Sequence, residues 1–107
     1  MPIDLHVHTS YSDGLLSPQE ILVHASRIHL SYLSITDHDT FRGFQEALSI
    51  LESDSSIAPE VTLIPGVEIS CIQDGRDVHL LAYYIEHPSI ELLDELAEAR
   101  RRRHDRT

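Results

Sequence analysis

The alternation of Ile3, Leu5 and Val7 with Asp4, His6 and His8 constrains the fold most, because a period of two belongs to a strand and loads its faces differently. One face is apolar and needs cover, while the other carries titratable groups. A loop from Thr9 to Leu16 follows, holding Ser10, Ser12, Asp13 and Gly14. Ser17-Pro18-Gln19-Glu20 then supplies a helix start: Ser17 caps, Pro18 suits the first helical position and Glu20 closes a capping box. The spacing predicts a helix running to about His29.

Tyr32 to Thr36 is a second β-prone run, and it ends in Asp37-His38-Asp39, so polar groups again gather at the C-terminal end of a strand. A second helix is predicted from Phe41 to Glu52, followed by a polar connection from Ser53 to Pro59. Val61 to Pro65 and Val67 to Ser70 read as strand segments broken by Pro65-Gly66. Asp74-Gly75 reads as a turn, and Val78 to Ile85 as a strand that pairs back in a hairpin. From Ser89, the residues Ile90, Leu92, Leu93, Leu96 and Ala97 recur at helical spacing, and Arg100 to Arg103 place cations where the helix dipole favours them. That arginine run is either a solvated face or a group that meets a phosphate at the rim of a site. The order strand, helix, strand, helix, strand, strand, helix predicts an α/β fold with a largely parallel sheet.

A chain of 107 residues suffices for one small domain. Its 18 Asp and Glu against 8 Arg and no Lys give a formal charge of -10, which disfavours a broad nucleic-acid duplex face. Divalent cations held in a site would reverse that potential locally. Cys71 is the single cysteine, which excludes an intramolecular disulfide and a four-cysteine zinc site, fits a reducing cytoplasm and reads as a small core residue. No apolar run approaches the ~20 residues of a membrane span, and the first residues lack a signal-peptide pattern.

His6 and His8, two apart on a strand, leave the same face about 7 Å apart at the level of Cα, so one metal ion could accept both. A further ligand must then come from elsewhere in the chain. Asp13, His38, Glu68 and His79 are the candidates, each at or beside a predicted strand end, where parallel α/β sheets collect functional groups. Plainer readings stand beside these. Asp13 next to Gly14 suits a turn, Asp37 and Asp39 suit the cap of the helix near Phe41, and His79 fits as a satisfied strand histidine. The cap is the role assigned to Asp39. Glu68 resists a plain reading, because a carboxylate between Val67 and Ile69 of an apolar strand needs a partner. His24, His29, His87 and His104 are assigned to surface or structural positions.

His6-x-His8-Thr9-x-x-Ser12-Asp13-Gly14, Thr36-Asp37-His38-Asp39-Thr40 and Pro65-Gly66-Val67-Glu68-Ile69-Ser70 resemble three successive motifs of the PHP (polymerase and histidinol phosphatase) family of metal-dependent phosphoesterases. His79-Leu80-Leu81-Ala82-Tyr83 is similar to its fourth. Within that family the chain looks most like the small bacterial nucleoside 3',5'-bisphosphate phosphatases and 5'-to-3' exoribonucleases. The resemblance implies a distorted, seven-stranded (βα) TIM-like barrel. Residues 1–107 would form its N-terminal portion, with the first four to five strands. It also implies up to three divalent ions, zinc, manganese or iron. His6 and His8 would hold one, Glu68 would bridge it to a second that His79 also binds, and Asp13 and His38 would hold the third. Asp4 and Asp37 would stand behind the ligands, Asp4 as an acceptor orienting a ring.

The implied chemistry is attack on phosphorus by a hydroxide held on the ions, with no protein nucleophile, on a small phosphorylated substrate, a nucleotide or short RNA. Members of the family continue for several more strands and carry a late Asp-x-His pair, so truncation is expected. The alternatives are a non-catalytic fragment, which would pair with a complementing chain or a second copy, a histidinol-phosphatase-like enzyme, and a polymerase-associated module.

Overall fold

A computed structural model describes residues 2–84 and 88–105, with side chains as far as Arg102. Along the chain run β1 (Ile3–Val7), α1 (Pro18–Arg27), β2 (Tyr32–Ile35), α2 (Arg42–Ser53), β3 (Thr62–Leu63), β4 (Gly66–Gln73), β5 (Arg76–Tyr83) and α3 (Ile90–Asp105). Expectations for Ile85 and His87, and for the side chains of Arg103 and His104, lie outside the described residues.

The capping box forms as read: Glu20 N donates to Ser17 Oγ at 3.2 Å and Ser17 N to Glu20 Oε1 at 3.0 Å. The helix stops at Arg27, two residues short of the expected end. His29 takes a left-handed conformation (φ 59°) and Leu30 turns back into the core, its N–H donating to Ala25 O at 3.0 Å.

β1, β2 and β3 form a parallel sheet in that order. Pro65 has no N–H to donate, and the chain breaks there between β3 and β4. β4 then takes up the same edge of the chain leaving β2: Glu68 N donates to Asp37 O at 3.0 Å, Asp39 N to Glu68 O at 2.9 Å, and His38 and Glu68 form a parallel bridge. The Asp74-Gly75 turn, with both residues at positive φ (53° and 75°), folds β5 back antiparallel on β4. The result is a mixed α/β arrangement, parallel through β4 and antiparallel at β5, rather than a largely parallel sheet.

The helices cover one side of these strands. Ile21, Leu22 and Ala25 of α1 and Ala47 of α2 pack with Leu33 and Ile35 of β2, with Val7 against them. Leu92 and Leu96 of α3 pack with Phe41, Val67, Ile69 and Ala82 over the hairpin. Alternation therefore sends Glu68 and its neighbours on the hairpin to the opposite face. A register shift between Asp4 and Val7 makes β1 irregular, while exposure still alternates, with Asp4 and His6 exposed and Leu5 and Val7 half-buried.

The expected helix cap at Asp39 is replaced by a different role. Asp39 lies at positive φ (59°) and its Oδ1 accepts from Ser70 N at 2.7 Å, bracing β4, while Arg42 N donates to Thr40 Oγ1 at 3.2 Å. Phe41 stands at the N-cap with no side-chain hydrogen bond. Of the arginine run, Arg100 Nη1 donates to the Asp39 carbonyl and Arg101 pairs with Glu98, so these two cations serve the fold and the helix surface.

Candidate metal centre

Glu68 is the hub. Its side chain is only 6% exposed, and imidazole nitrogens approach it from three chain segments. His6 Nε2 lies 2.6 Å and His8 Nε2 2.9 Å from Oε1; His79 Nδ1 lies 2.9 Å and His38 Nδ1 3.6 Å from Oε2. Asp13 makes a second focus, with Oδ1 2.5 Å from His8 Nδ1 and Oδ2 3.1 Å from His38 Nε2. The four rings follow one another edge to face at centroid distances of 5.0, 4.4 and 5.1 Å, in the order His6, His8, His38, His79.

Local structure accounts for each placement. His6 and His8 ride on β1 and the residue beyond it, His38 follows β2 where the chain bridges to Glu68, and His79 on β5 faces Ser70 across the hairpin. Asp13 is held by a buried clasp. The fully buried Asp37 accepts from Thr9 N at 2.6 Å, Thr9 Oγ1 at 2.7 Å and Ser12 Oγ at 2.7 Å, which pins the loop on either side of the turn. Gly43 makes room for it: a Cβ there would stand 2.1 Å from Asp37 Oδ2 and 2.8 Å from Thr9 Oγ1.

Among the described residues, three trios of donor atoms lie within 4.8 Å of one another: His6, His8 and Glu68; His8, Asp13 and His38; His38, Glu68 and His79. Imidazole nitrogen and carboxylate oxygen bind zinc at ~2.0–2.2 Å, so two ligands of one ion stand up to about 4 Å apart. These spacings reach an ion's geometry with shifts of under an ångström. Mixed nitrogen and carboxylate donors suit zinc, manganese or iron alike.

Burial pushes the Asp13 and Glu68 carboxyls up, but hydrogen bonds from His8, and for Glu68 from His6 and His8, with the nearby His8 and His38 charges, bring both below their ordinary 3.8 and 4.5. A carboxyl depressed in the folded state stabilises it above the unfolded value, and that contribution disappears as pH falls through the folded value. The melting temperature of the metal-free chain is therefore expected to hold above about pH 5 and fall steadily from pH 4.5 downward. Glu68→Gln should flatten that slope. An equal slope in parent and variant would rule out the assignment to Glu68.

The structure brings together all six residues singled out as ligands. Asp37 stands behind them through its hydrogen bonds to Thr9 and Ser12 in the loop. Asp4 departs from expectation: its Oδ1 accepts from the His6 backbone N–H at 3.2 Å, so it braces the main chain at the bulge rather than an imidazole. His24 and His29 are exposed, and Cys71 is half-buried. Sequence reading gave no role to Thr9 or Ser12, although both belong to the first motif. A polar pair flanking a candidate ligand in a loop was the available signal. Nor did it single out Tyr83, whose hydroxyl donates to Leu5 O at 2.7 Å.

Known proteins resemble the chain along most of its length. It is 39% identical over 105 residues to the 5'-3' exoribonuclease Rnm of Salmonella typhimurium, covering 96% of this chain and 34% of that protein. It is 32% identical over 84 residues to the 3',5'-nucleoside bisphosphate phosphatase of Chromobacterium violaceum, covering 78% and 28%. Among solved structures, a candidate metal-dependent phosphoesterase from Bifidobacterium adolescentis superposes with a TM-score of 0.83 at 29% identity, covering 99% of this chain and 35% of the other. The chain thus spans about a third of the length of the relatives it matches. Residues 4–100 match the PHP domain, and the chain belongs to that family.

Proposed function

We propose that residues 1–107 are the N-terminal portion of a PHP domain, five strands of an incomplete, distorted seven-stranded TIM-like barrel, and that they carry the core of a metal-dependent phosphoesterase site. One observation supports this above all: a buried carboxylate faced by imidazoles from β1 and the residue beyond it, the segment after β2, and β5, with Asp13 beside them. His6, His8 and Glu68 would hold one divalent ion, Glu68, His38 and His79 a second, and Asp13 with His8 and His38 a third. Zinc, manganese or iron bound there supplies a Lewis acid and water activated near neutral pH.

The chain's own residues arrange the rest. Glu68 and His38 form the buried base of the site, while His6, His79 and Asp13, with side chains 52%, 45% and 56% exposed, form its open rim. A phosphate ester approaches from that rim. Ser12, the hydroxyl nearest Asp13 in sequence, donates to Asp37, and the attacking oxygen in this reading is that of water. The names of the relatives point to nucleotides or short RNA as the substrate class.

The share of its relatives that the chain spans favours a second reading, a non-catalytic portion completed by further chain, a complementing chain or a second copy. Exposed Leu15, Leu16 and Ile28 are apolar surface such a partner would cover. Metal content of purified chain, followed by phosphate release from a nucleoside 3',5'-bisphosphate and from 5'-phosphorylated RNA with added Mn2+, tests both readings. Bound ion with release is the expected result. Bound ion without release selects the second reading, and a chain that takes up no divalent ion removes the metal-site assignment and favours the second reading.

No helix among the described residues is long and apolar enough to cross a membrane.

A further inference from the structure

We propose that Tyr83 is a positioning residue of the candidate metal centre, its hydroxyl tying β5 to β1 alongside the imidazoles; this rests on the metal-site reading above. The phenol donates to the carbonyl of Leu5, the residue before His6, at 2.7 Å. In the hairpin register Tyr83 lies opposite Gly66, Leu81 opposite Glu68 and His79 opposite Ser70. Paired residues of an antiparallel ladder share a face, so Tyr83, His79 and Glu68 all project to the same side.

That placement matters because His6 and His79 come from strands, β1 and β5, that do not pair with each other. β1 pairs with β2 and β5 with β4, and the link from β2 to β4 at the site is the bridge between His38 and Glu68. The path through the ladders from His6 to His79 thus crosses a bulged strand and a single bridge. Yet His6 must meet Oε1 of Glu68 while His79 meets Oε2 of the same carboxylate. The Tyr83 hydrogen bond joins the two outer strands directly, one residue from His6.

The surrounding residues are shaped to the ring. A Cβ at Gly66 would stand 2.5 Å from Ser34 Oγ, 2.8 Å from Thr36 Cγ2 and 3.1 Å from Tyr83 Cδ1, so the missing side chain there leaves room for the ring beside β4. Burial, with the Asp4 and Glu68 charges, raises the phenol above its ordinary value of 10.0 and keeps it a donor.

The test compares the parent chain with Tyr83→Phe, using Co2+ as probe, with affinity from chelator competition, coordination from visible absorption and folding from circular dichroism. The expected result is about tenfold weaker Co2+ binding and an altered visible spectrum at unchanged circular dichroism, the scale of losing a group that orients ligands. A Phe variant with parental affinity and spectrum overturns the inference, while the parent's binding leaves the metal-site reading intact. A parent chain that binds no Co2+ overturns both. Loss of the circular dichroism signal in the variant overturns the inference too, because the hydroxyl would then hold the fold rather than the site.

Discussion

Glu68→Ala is expected to lower the affinity of the chain for divalent ions by more than about 100-fold, because removing a shared ligand exceeds the 10- to 100-fold cost of losing a group behind one. Glu68 belongs to two of the three donor trios and offers a different oxygen to each. Without it His6 and His79 have no common partner. Asp13→Asn touches one trio and should leave ion binding at the other two close to that of the parent. Zinc titration against a competing chelator separates these outcomes, and equal losses in the two variants would refute the two-focus arrangement.

Asp37→Ala is expected to destabilise the metal-free chain by about 3 kcal/mol, roughly 15 °C in melting temperature for a domain of this size. The carboxylate is fully buried and accepts three hydrogen bonds, one from a backbone N–H of the equally buried Thr9. Truncation leaves those buried donors without their acceptor, which costs more than the bonds themselves contribute. Because the same bonds hold the loop that carries Asp13, ion binding by Asp13, His8 and His38 should weaken along with stability. Gly43→Ala, which drives a methyl onto Asp37 Oδ2, should act in the same direction. A melting temperature within about 3 °C of the parent for Asp37→Ala would show that the clasp is dispensable.

Much of the site was legible because its ligands sit at the ends of short strands whose periodicity is plain. His6 and His8 announce themselves by spacing, and Glu68 by being a carboxylate in an apolar strand. Asp39 was misread for a physical reason: an aspartate just ahead of a helical pattern resembles a cap, and nothing local reveals that Ser70 N is its partner. At Asp4 the observed partner is the His6 backbone amide rather than its ring, a choice that spacing alone does not reveal.

What the sequence determined by itself was local: the Ser17 capping box, the Asp74-Gly75 turn, the break at Pro65 and the alternation that gives each strand two chemically different faces. All of these depend on residues within a few positions of one another, so short-range sterics and hydrogen bonding settle them. Tertiary structure alone decided which polar groups meet, because a buried donor or acceptor takes whatever partner packing delivers. Those partners are distant: Glu68 is 62 residues from His6, and Tyr83 is 78 from Leu5.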